Sequence, residues 1–387
     1  MANYLEPRIG HGVNRISQIL LTPWIFKFRM GSVRIELYSI MAKGDIMDKE
    51  KYLSELHDAL ETKGKSYKYI VACCNYAAKL LDSNLPVIFD IKHLSLLLGI
   101  KPLDFGKFLY CIDDNHYHEI AIPKKNGGNR KLDIPSVDLK YVQRWILDNI
   151  ISKMHVSEFA NGFVKGKSIL SNAQLHTNSE CIINIDIKDF FPTINFENVF
   201  YIFKYYGYTK EMSYILAKLC TRRGILPQGS PASPGITNVL CLKLDKRLQK
   251  LAESYQAAYS RYADDITFSG NKGIVHILPI AVDIIQAEGF AVNSSKTRIA
   301  YKHQRQEVTG LIVNGNSVRV PQKYKRKLRQ EIYYCEKFGI RSHQKKIRNT
   351  HSFYKEYLYG KAYFINMIEP DTGKHFLDLL DKLVWEY

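Results

Sequence analysis

AAYSRYADDITFSG, residues 257–270, decides how this chain is read. Two strand-forming runs flank an adjacent pair of acids, Asp264 and Asp265, in the pattern of a β-hairpin. Neighbours within a strand face opposite sides, but a tight hairpin tip can turn both carboxylates the same way. Two converging carboxylates repel each other when both ionise, and a cation relieves the repulsion. Oxygen-only ligands partly open to solvent select Mg²⁺ or Mn²⁺. A third carboxylate then has to come from elsewhere. The best placed is Asp186, which ends the apolar run CIINID (181–186) within SECIINIDIKDFFPTI (179–194). Two strands that each deliver acid at their ends can hold two ions about 3.5–4 Å apart, the arrangement used for in-line phosphoryl transfer. An Asp-Asp pair alone is usually a solvated turn, so the reading depends on the rest of the chain.

The chain is strongly basic, with formal net charge +17 over 387 residues and pI near 9.3. That balance calls for a polyanionic partner, nucleic acid first and an anionic membrane surface second. The 26 tyrosines favour nucleic acid, since rings stack on bases, although most of them belong to the core. Seven scattered cysteines without a C-x-x-C pair indicate neither a disulfide framework nor a zinc site, and fit a reducing cytoplasm. No apolar run approaches the roughly 20 residues needed to span a bilayer. RISQILLTPWIFKFR (15–29) is interrupted by Pro23 and Lys27 and lacks a small-residue cleavage site, so neither a signal peptide nor a membrane partner is expected.

Residues 1–46 match no clear period and are read as an N-terminal extension without structure, with Met41 and Met47 as alternative starts. Helical spacing runs from Glu50 to about Asp82, and 93–100 and 103–111 read as two short helices. YHEIAIP, KKNGGN and RKLDIP form a hairpin, followed by an amphipathic helix over 136–154 with Ser136 as N-cap. CIINID is a buried-type strand. Helices follow over 196–220, a long one lies within 232–255, and another spans 276–288; more strand is read over 297–320, then a basic helical tail. Helices and antiparallel strands in mixed order give an α+β fold.

Three motifs now occur in order: DIKDFF (186–191), LPQGSP (226–231) and YADD (262–265). They resemble the palm of reverse transcriptases, with D-x-x-x-[FY]-[FY], PQG and Y-x-D-D. From about Leu85 onward the likeness continues. EIAIPKKNGGNRKLDIPSVDLKYVQRWIL (119–147) and GFVKGKSI (162–169) are similar to segments of bacterial reverse transcriptases. NAQLH (172–176) and VTG (308–310) resemble the two hallmarks of retron reverse transcriptases. The resemblance implies a right-hand polymerase fold. Fingers with N-terminal helices lie in 47–180, a palm with an interleaved fingers segment in 181–317, and a helical basic thumb in 318–387.

It also implies roles. Asp186, Asp264 and Asp265 match the metal-binding catalytic aspartates, with Asp265 the less direct ligand, and two Mg²⁺ ions as cofactor. Asp189 matches a position that offers its backbone N–H to the triphosphate. Phe191 matches the residue that walls off the sugar's 2′ side, while Phe190 reads as core. Gln228 and Gly229 would contact the incoming deoxynucleotide, Gly229 by letting the backbone come close. Lys124 and Arg130 match the triphosphate grip, with Lys125 and Lys131 as near alternatives. Lys296 resembles a lysine that protonates pyrophosphate; a plain surface lysine is the other reading. Tyr262 packs under template or primer, or in the core. Asn172 and His176, one helical turn apart, offer hydrogen bonds to RNA, and Thr309 marks a strand end near the primer.

Between Val318 and Thr350, eleven Lys or Arg face only Glu331 and Glu336. Part of such a run is a solvated face. The excess still suits an RNA stem, contacted through Lys323, Arg326, Arg329, Lys345, Lys346 and Arg348. The resemblance implies RNA-templated DNA synthesis on a cognate structured non-coding RNA, primed from a guanosine 2′-hydroxyl. The product is multicopy single-stranded DNA, made in antiphage defence beside a separate effector protein. A group II intron-like enzyme and a non-catalytic RNA-binding scaffold are the rival readings.

Overall fold

The computed structural model describes residues 27–30, 33–36, 48–123, 128–347 and 353–385. Two compact, discontinuous units divide the chain: 1–155 with 191–240, and 156–190 with 241–387. These are not the segments 47–180, 181–317 and 318–387 expected from sequence. Residues 156–180 join the unit of the central sheet, and 191–240 leave it.

In the first unit, β1 (Lys27–Met30) pairs antiparallel with β2 (Val33–Glu36), a hairpin inside the 1–46 extension read as structureless. Charged and apolar residues alternate in both runs and Gly31-Ser32 lies between them, a signal that the period search passed over. Other residues of 1–46 lie outside the described residues. The helical stretch beyond is two helices, Lys49–Thr62 and Tyr67–Asp82, each opened by a side-chain cap, from Asp48 and Ser66. Tyr52, Leu56 and Leu60 bury one face of the first; Ile70, Cys73, Ala77 and Leu80 bury one face of the second. β3 (Tyr117–Pro123) and β4 (Asn129–Pro135) form the expected hairpin, and Ser136 caps the helix Val137–Asn149. Buried Gln143 on that helix donates to Tyr117 Oη and to the Leu219 carbonyl, both at 2.9 Å, fixing the hairpin's base. Helices Phe196–Tyr205, Lys210–Cys220 and Ser233–Leu240 complete the unit. The long helix read within 232–255 is Leu242–Ser254; the shorter helix Ser233–Leu240 precedes it, separated at Cys241 where the units divide.

The second unit is built on an antiparallel sheet. Its strands are β5 (Cys181–Lys188), β6 (Ala258–Tyr262), β7 (Asp265–Gly270), β8 (Ala291–Val292) and β9 (Arg298–Tyr301). The order is β6-β7-β5-β8, with β9 also pairing β5. Central β5 is buried almost throughout, which is why CIINIDI is nearly continuous apolar sequence. The strand read over 297–320 is β9 plus two very short strands, β10 (Glu307–Val308) and β11 (Leu311–Ile312). Register assigns the faces. Ile183, Ile185, Tyr259, Arg261, Ile266 and Phe268 share one; Ile182, Asn184, Asp186, Ser260, Asp265, Thr267 and Ser269 share the other. The basic tail folds as helices Gln322–Phe338, Ile340–Lys346, Tyr354–Ile368 and Pro370–Asp381. Leu328, Ile332, Leu358, Ile365 and Phe376 from it share one apolar core with Ala173, Ile182, Val308 and Leu311.

Candidate active site

The β5–β7 register sets Asp186 directly across from Asp265. Asp264 lies in the two-residue connection between β6 and β7, beside Ala263 at φ 57°. A non-glycine residue with that φ is strained by about 1–2 kcal/mol, so neighbours have to hold it. Arg261 Nη1 donates to the Ala263 carbonyl at 3.1 Å, and the Ile187 N–H donates to the Asp264 carbonyl at 3.0 Å. Gly162 lies against the tip so closely that a Cβ there would stand 2.7 Å from the Ala263 nitrogen. Flanking it, the Arg261 N–H donates to Phe159 O at 3.0 Å and the Asn161 N–H to Arg261 O at 2.7 Å. Arg261 itself is wholly buried. It forms a bidentate pair with buried Asp245 (Nε–Oδ1 2.7 Å, Nη2–Oδ2 2.8 Å), and the Tyr259 hydroxyl donates to the same carboxylate at 2.7 Å.

Charge is concentrated where the strands end. Asp186 is 7% exposed. Lys296 Nζ reaches its two oxygens at 2.8 and 3.0 Å, and Asn293 Nδ2 donates to Oδ1 at 3.0 Å. Asp265 reaches solvent but is crowded by protein. Partial desolvation first, then the charges of Asp264 and Asp186, push its carboxyl up to about 6, against the pull of Lys296. Lys296 is raised in turn, chiefly by its hydrogen bonds to Asp186. Three carboxylates, one of them raised by partial desolvation and then by the charges of the other two, form an oxygen-only set that a hard divalent cation would relieve. Asp186, Asp264 and Asp265 would hold it. A tighter acid grouping, His57, Asp58 and Glu61, has ligand atoms all within 4.8 Å, but it is a surface run on the helix Lys49–Thr62, where His57 faces both carboxylates.

Asp189 follows β5 in left-handed backbone at φ 46°. Phe190 is core, with its ring 5.6 Å from Phe290, while Phe191 is half-buried. Tyr262 is half-buried beside Phe163. In the other unit, the Asp133 N–H donates to the Gln228 carbonyl at 2.8 Å. Gly229 sits at φ 127°, where a Cβ would be 2.6 Å from Asp133 O, so here the close approach is to β4. A cavity of about 340 Å³ beside it is lined by Lys131, Gln228, Arg222, Glu119 and Asp133 among others. Arg130 is exposed and alternates with Lys131 along β4, so the two face opposite sides. Lys124 lies outside the described residues. Sequence reasoning missed Arg222, a buried guanidinium paired with Asp133 and, at 3.2 Å, with Glu119, and stacked 5.1 Å over Tyr117. The signal is there in hindsight: Glu119 and Asp133 are register partners, and like charges opposite each other require a cation.

Two retron hallmark residues need correcting. Asn172 is 1% and His176 0% exposed, so neither side chain can reach an RNA. His176 Nδ1 bonds Ser269 Oγ at 2.8 Å and Nε2 bonds Ser260 Oγ at 2.7 Å; burial pushes the imidazole down to about 3. Thr309, at φ 46°, donates its hydroxyl to Ile169 O at 3.2 Å. Among the tail residues, Lys323, Arg326, Arg329, Lys345 and Lys346 are exposed, with Arg329 lying over Phe376. Arg348 lies outside the described residues. Lys325 is engaged internally by Glu369 at 2.8 Å.

Asp186 thus comes from the central strand, and Asp264 and Asp265 come from the adjoining hairpin. Residues 122–314 match the reverse transcriptase (RNA-dependent DNA polymerase) family. The chain is 38% identical over 325 residues to the Retron Mx162 reverse transcriptase of Myxococcus xanthus, 75% of this chain but 65% of that relative, under two thirds of its length. It is 33% identical over 315 residues to the Retron Ec86 reverse transcriptase of Escherichia coli, covering 80% of this chain and 94% of that one. A solved Candida albicans telomerase with the TWJ fragment of telomeric RNA aligns at TM-score 0.39 and 10% identity, over 72% of this chain and 65% of that one. The chain belongs to the retron reverse transcriptases, RNA-directed DNA polymerases of α+β, right-hand fold. Among the described residues no helix is long and apolar enough to cross a membrane.

Proposed function

We propose that this chain copies its own structured non-coding RNA into multicopy single-stranded DNA, starting from a guanosine 2′-hydroxyl, and serves antiphage defence beside a separate effector protein. The observation that carries the catalytic reading is Asp186 standing opposite Asp265, with Asp264 at the adjoining tip. Bound there, two Mg²⁺ ions, or Mn²⁺, would acidify the attacking hydroxyl and neutralise the leaving pyrophosphate. Lys296, released from Asp186, would give a proton to that pyrophosphate. Gln228, Gly229, Asp189 and Phe191 would seat the deoxynucleotide, with Lys124 and Arg130 on its triphosphate. Exposed Lys323, Arg326, Arg329, Lys345 and Lys346, with Arg348, would hold RNA phosphates. On this reading the unit of 156–190 and 241–387 carries palm and thumb, and the other unit carries the fingers.

The test is Asp264→Asn with Asp265→Asn. Primer extension on the cognate RNA should fall by at least about 10³-fold, since both ligands of a charge-neutralising site are lost, while RNA binding persists. Undiminished synthesis overturns the catalytic assignment. For the retron product, nucleic acid bound to the purified chain should be a discrete species cut by both RNase and DNase. Random RNA alone overturns that part.

A further inference from the structure

NAQLH and VTG are the two motifs that the polymerase reading leaves without a task, because burial removes Asn172 and His176 from any nucleic acid. Their contacts point elsewhere. His176 bonds both strands of the aspartate hairpin: Ser260 on β6 and Ser269 on β7, one from each ring nitrogen. A neutral imidazole has one donor and one acceptor, and serine hydroxyls rotate to serve either, so both bonds form without charge. Ser269, Thr267 and Asp265 alternate down the same face of β7, and Thr267 accepts from Asn184 Nδ2 at 3.2 Å. A polar row thus runs from the histidine towards the acids, on the face opposite to the one where Arg261 pairs with Asp245.

The second motif grips the same segment from behind. Thr309 bonds Ile169 O at 3.2 Å, the Asn178 N–H donates to Val313 O at 3.0 Å, and buried Gln306 Nε2 donates to Ser179 O at 3.0 Å. Val308 and Leu311 share the apolar core of Ala173, Leu328 and Ile332. The ribbon 306–313 therefore clamps the segment 169–179 at three hydrogen-bonded points, and that segment clamps the hairpin.

We propose that NAQLH and VTG form one internal brace in which His176 is a positioning residue that fixes the register and twist of β6 against β7, and with them the placement of Asp264 and Asp265. The brace rests on the catalytic reading of those aspartates. It predicts that the hallmark histidine governs turnover and not RNA affinity. With His176→Ala, the turnover number for synthesis should fall about 10–100-fold, the range for losing a partner that orients a metal ligand. KM for deoxynucleotide and Kd for the cognate RNA should stay within about threefold. Amide hydrogen exchange at 263–266 should accelerate, which a contact to RNA would not cause in the RNA-free protein. His176→Gln, which keeps a donor and an acceptor, should recover part of the turnover and serves as the test if the alanine chain does not fold. Loss of RNA binding by folded His176→Gln, or unchanged exchange and turnover in either variant, overturns the brace. The Asp264→Asn chain, run in parallel, separates the two ideas: if it still synthesises DNA, the catalytic reading has failed and not the brace alone.

Discussion

Two hairpins carry the charged residues on which the proposed reading rests, and they are built in opposite ways. β3–β4 bears Arg130 and Lys131 on strands that are mostly exposed, buried only at Tyr117 and Pro135. β6–β7 bears Asp264 and Asp265 on strands buried almost end to end. A cationic grip on a triphosphate works through long side chains that adjust to their ligand. Short carboxylates meant to share an ion tolerate little displacement. The acid hairpin is accordingly held on one face by Asp245, Arg261 and Tyr259, on the other by His176, and at its tip by Gly162.

The contrast breaks most readily at the buried ion pair. Asp245→Asn leaves the Arg261 guanidinium buried and uncompensated, which typically costs about 3–5 kcal/mol; the urea midpoint should drop accordingly, and synthesis with it. Asp245→Leu with Arg261→Met should be far milder in stability yet still impair synthesis, because the bond to Ala263 O is gone. Equal synthesis in that double variant and the wild type would show that the hairpin does not need the clamp.

Acid offers a graded version. His176 is pushed down to about 3 and His93 to about 4, both by burial, from an ordinary value near 6.5. Below pH 6.5 the unfolded chain takes up these protons and the folded chain does not, so stability falls as pH falls. Each imidazole should remove about 2 kcal/mol between pH 6.5 and 5. Asp265, raised to about 6, works in the opposite direction, weakly because solvent screens it. Chemical denaturation at pH 7.5 and 5 should therefore show a clear loss, smaller in His93→Leu.

At the exposed hairpin, Ile122→Thr should cost under about 0.5 kcal/mol, since Ile122 is 45% exposed. A drop like that of Asp245→Asn would erase the distinction between the hairpins.

Much of this was legible in the sequence. Alternation, turn residues and a cap gave both hairpins and the helix opened by Ser136, because those signals are local. The acid trio was legible because DIKDFF and YADD place Asp186 on β5 and Asp264 and Asp265 at the β6–β7 turn. What stayed hidden depends on distant partners. Nothing local to RYADD says that Arg261 meets Asp245, or that His176 faces serines 84 and 93 residues further on. The same holds for Arg222 between Glu119 and Asp133: the residue types are visible, the partnership is tertiary. Cys241 fits an unbroken helix by propensity, and the break there, with ψ at 1°, carries no local sequence signal.

The central strand has one more consequence, for synthesis of the chain itself. Asn184 on β5 waits for Thr267, 83 residues later, before its strand can pair with β7. At roughly 5–20 residues per second of translation, an apolar ribbon would emerge from the ribosome and remain unpaired for about 4 to 17 seconds. The segment that anchors the acids in the finished enzyme is thus an unpaired apolar strand in the nascent chain, and slowing translation between codons 190 and 265 should lower the yield of folded protein before it alters any property of the molecules that do fold.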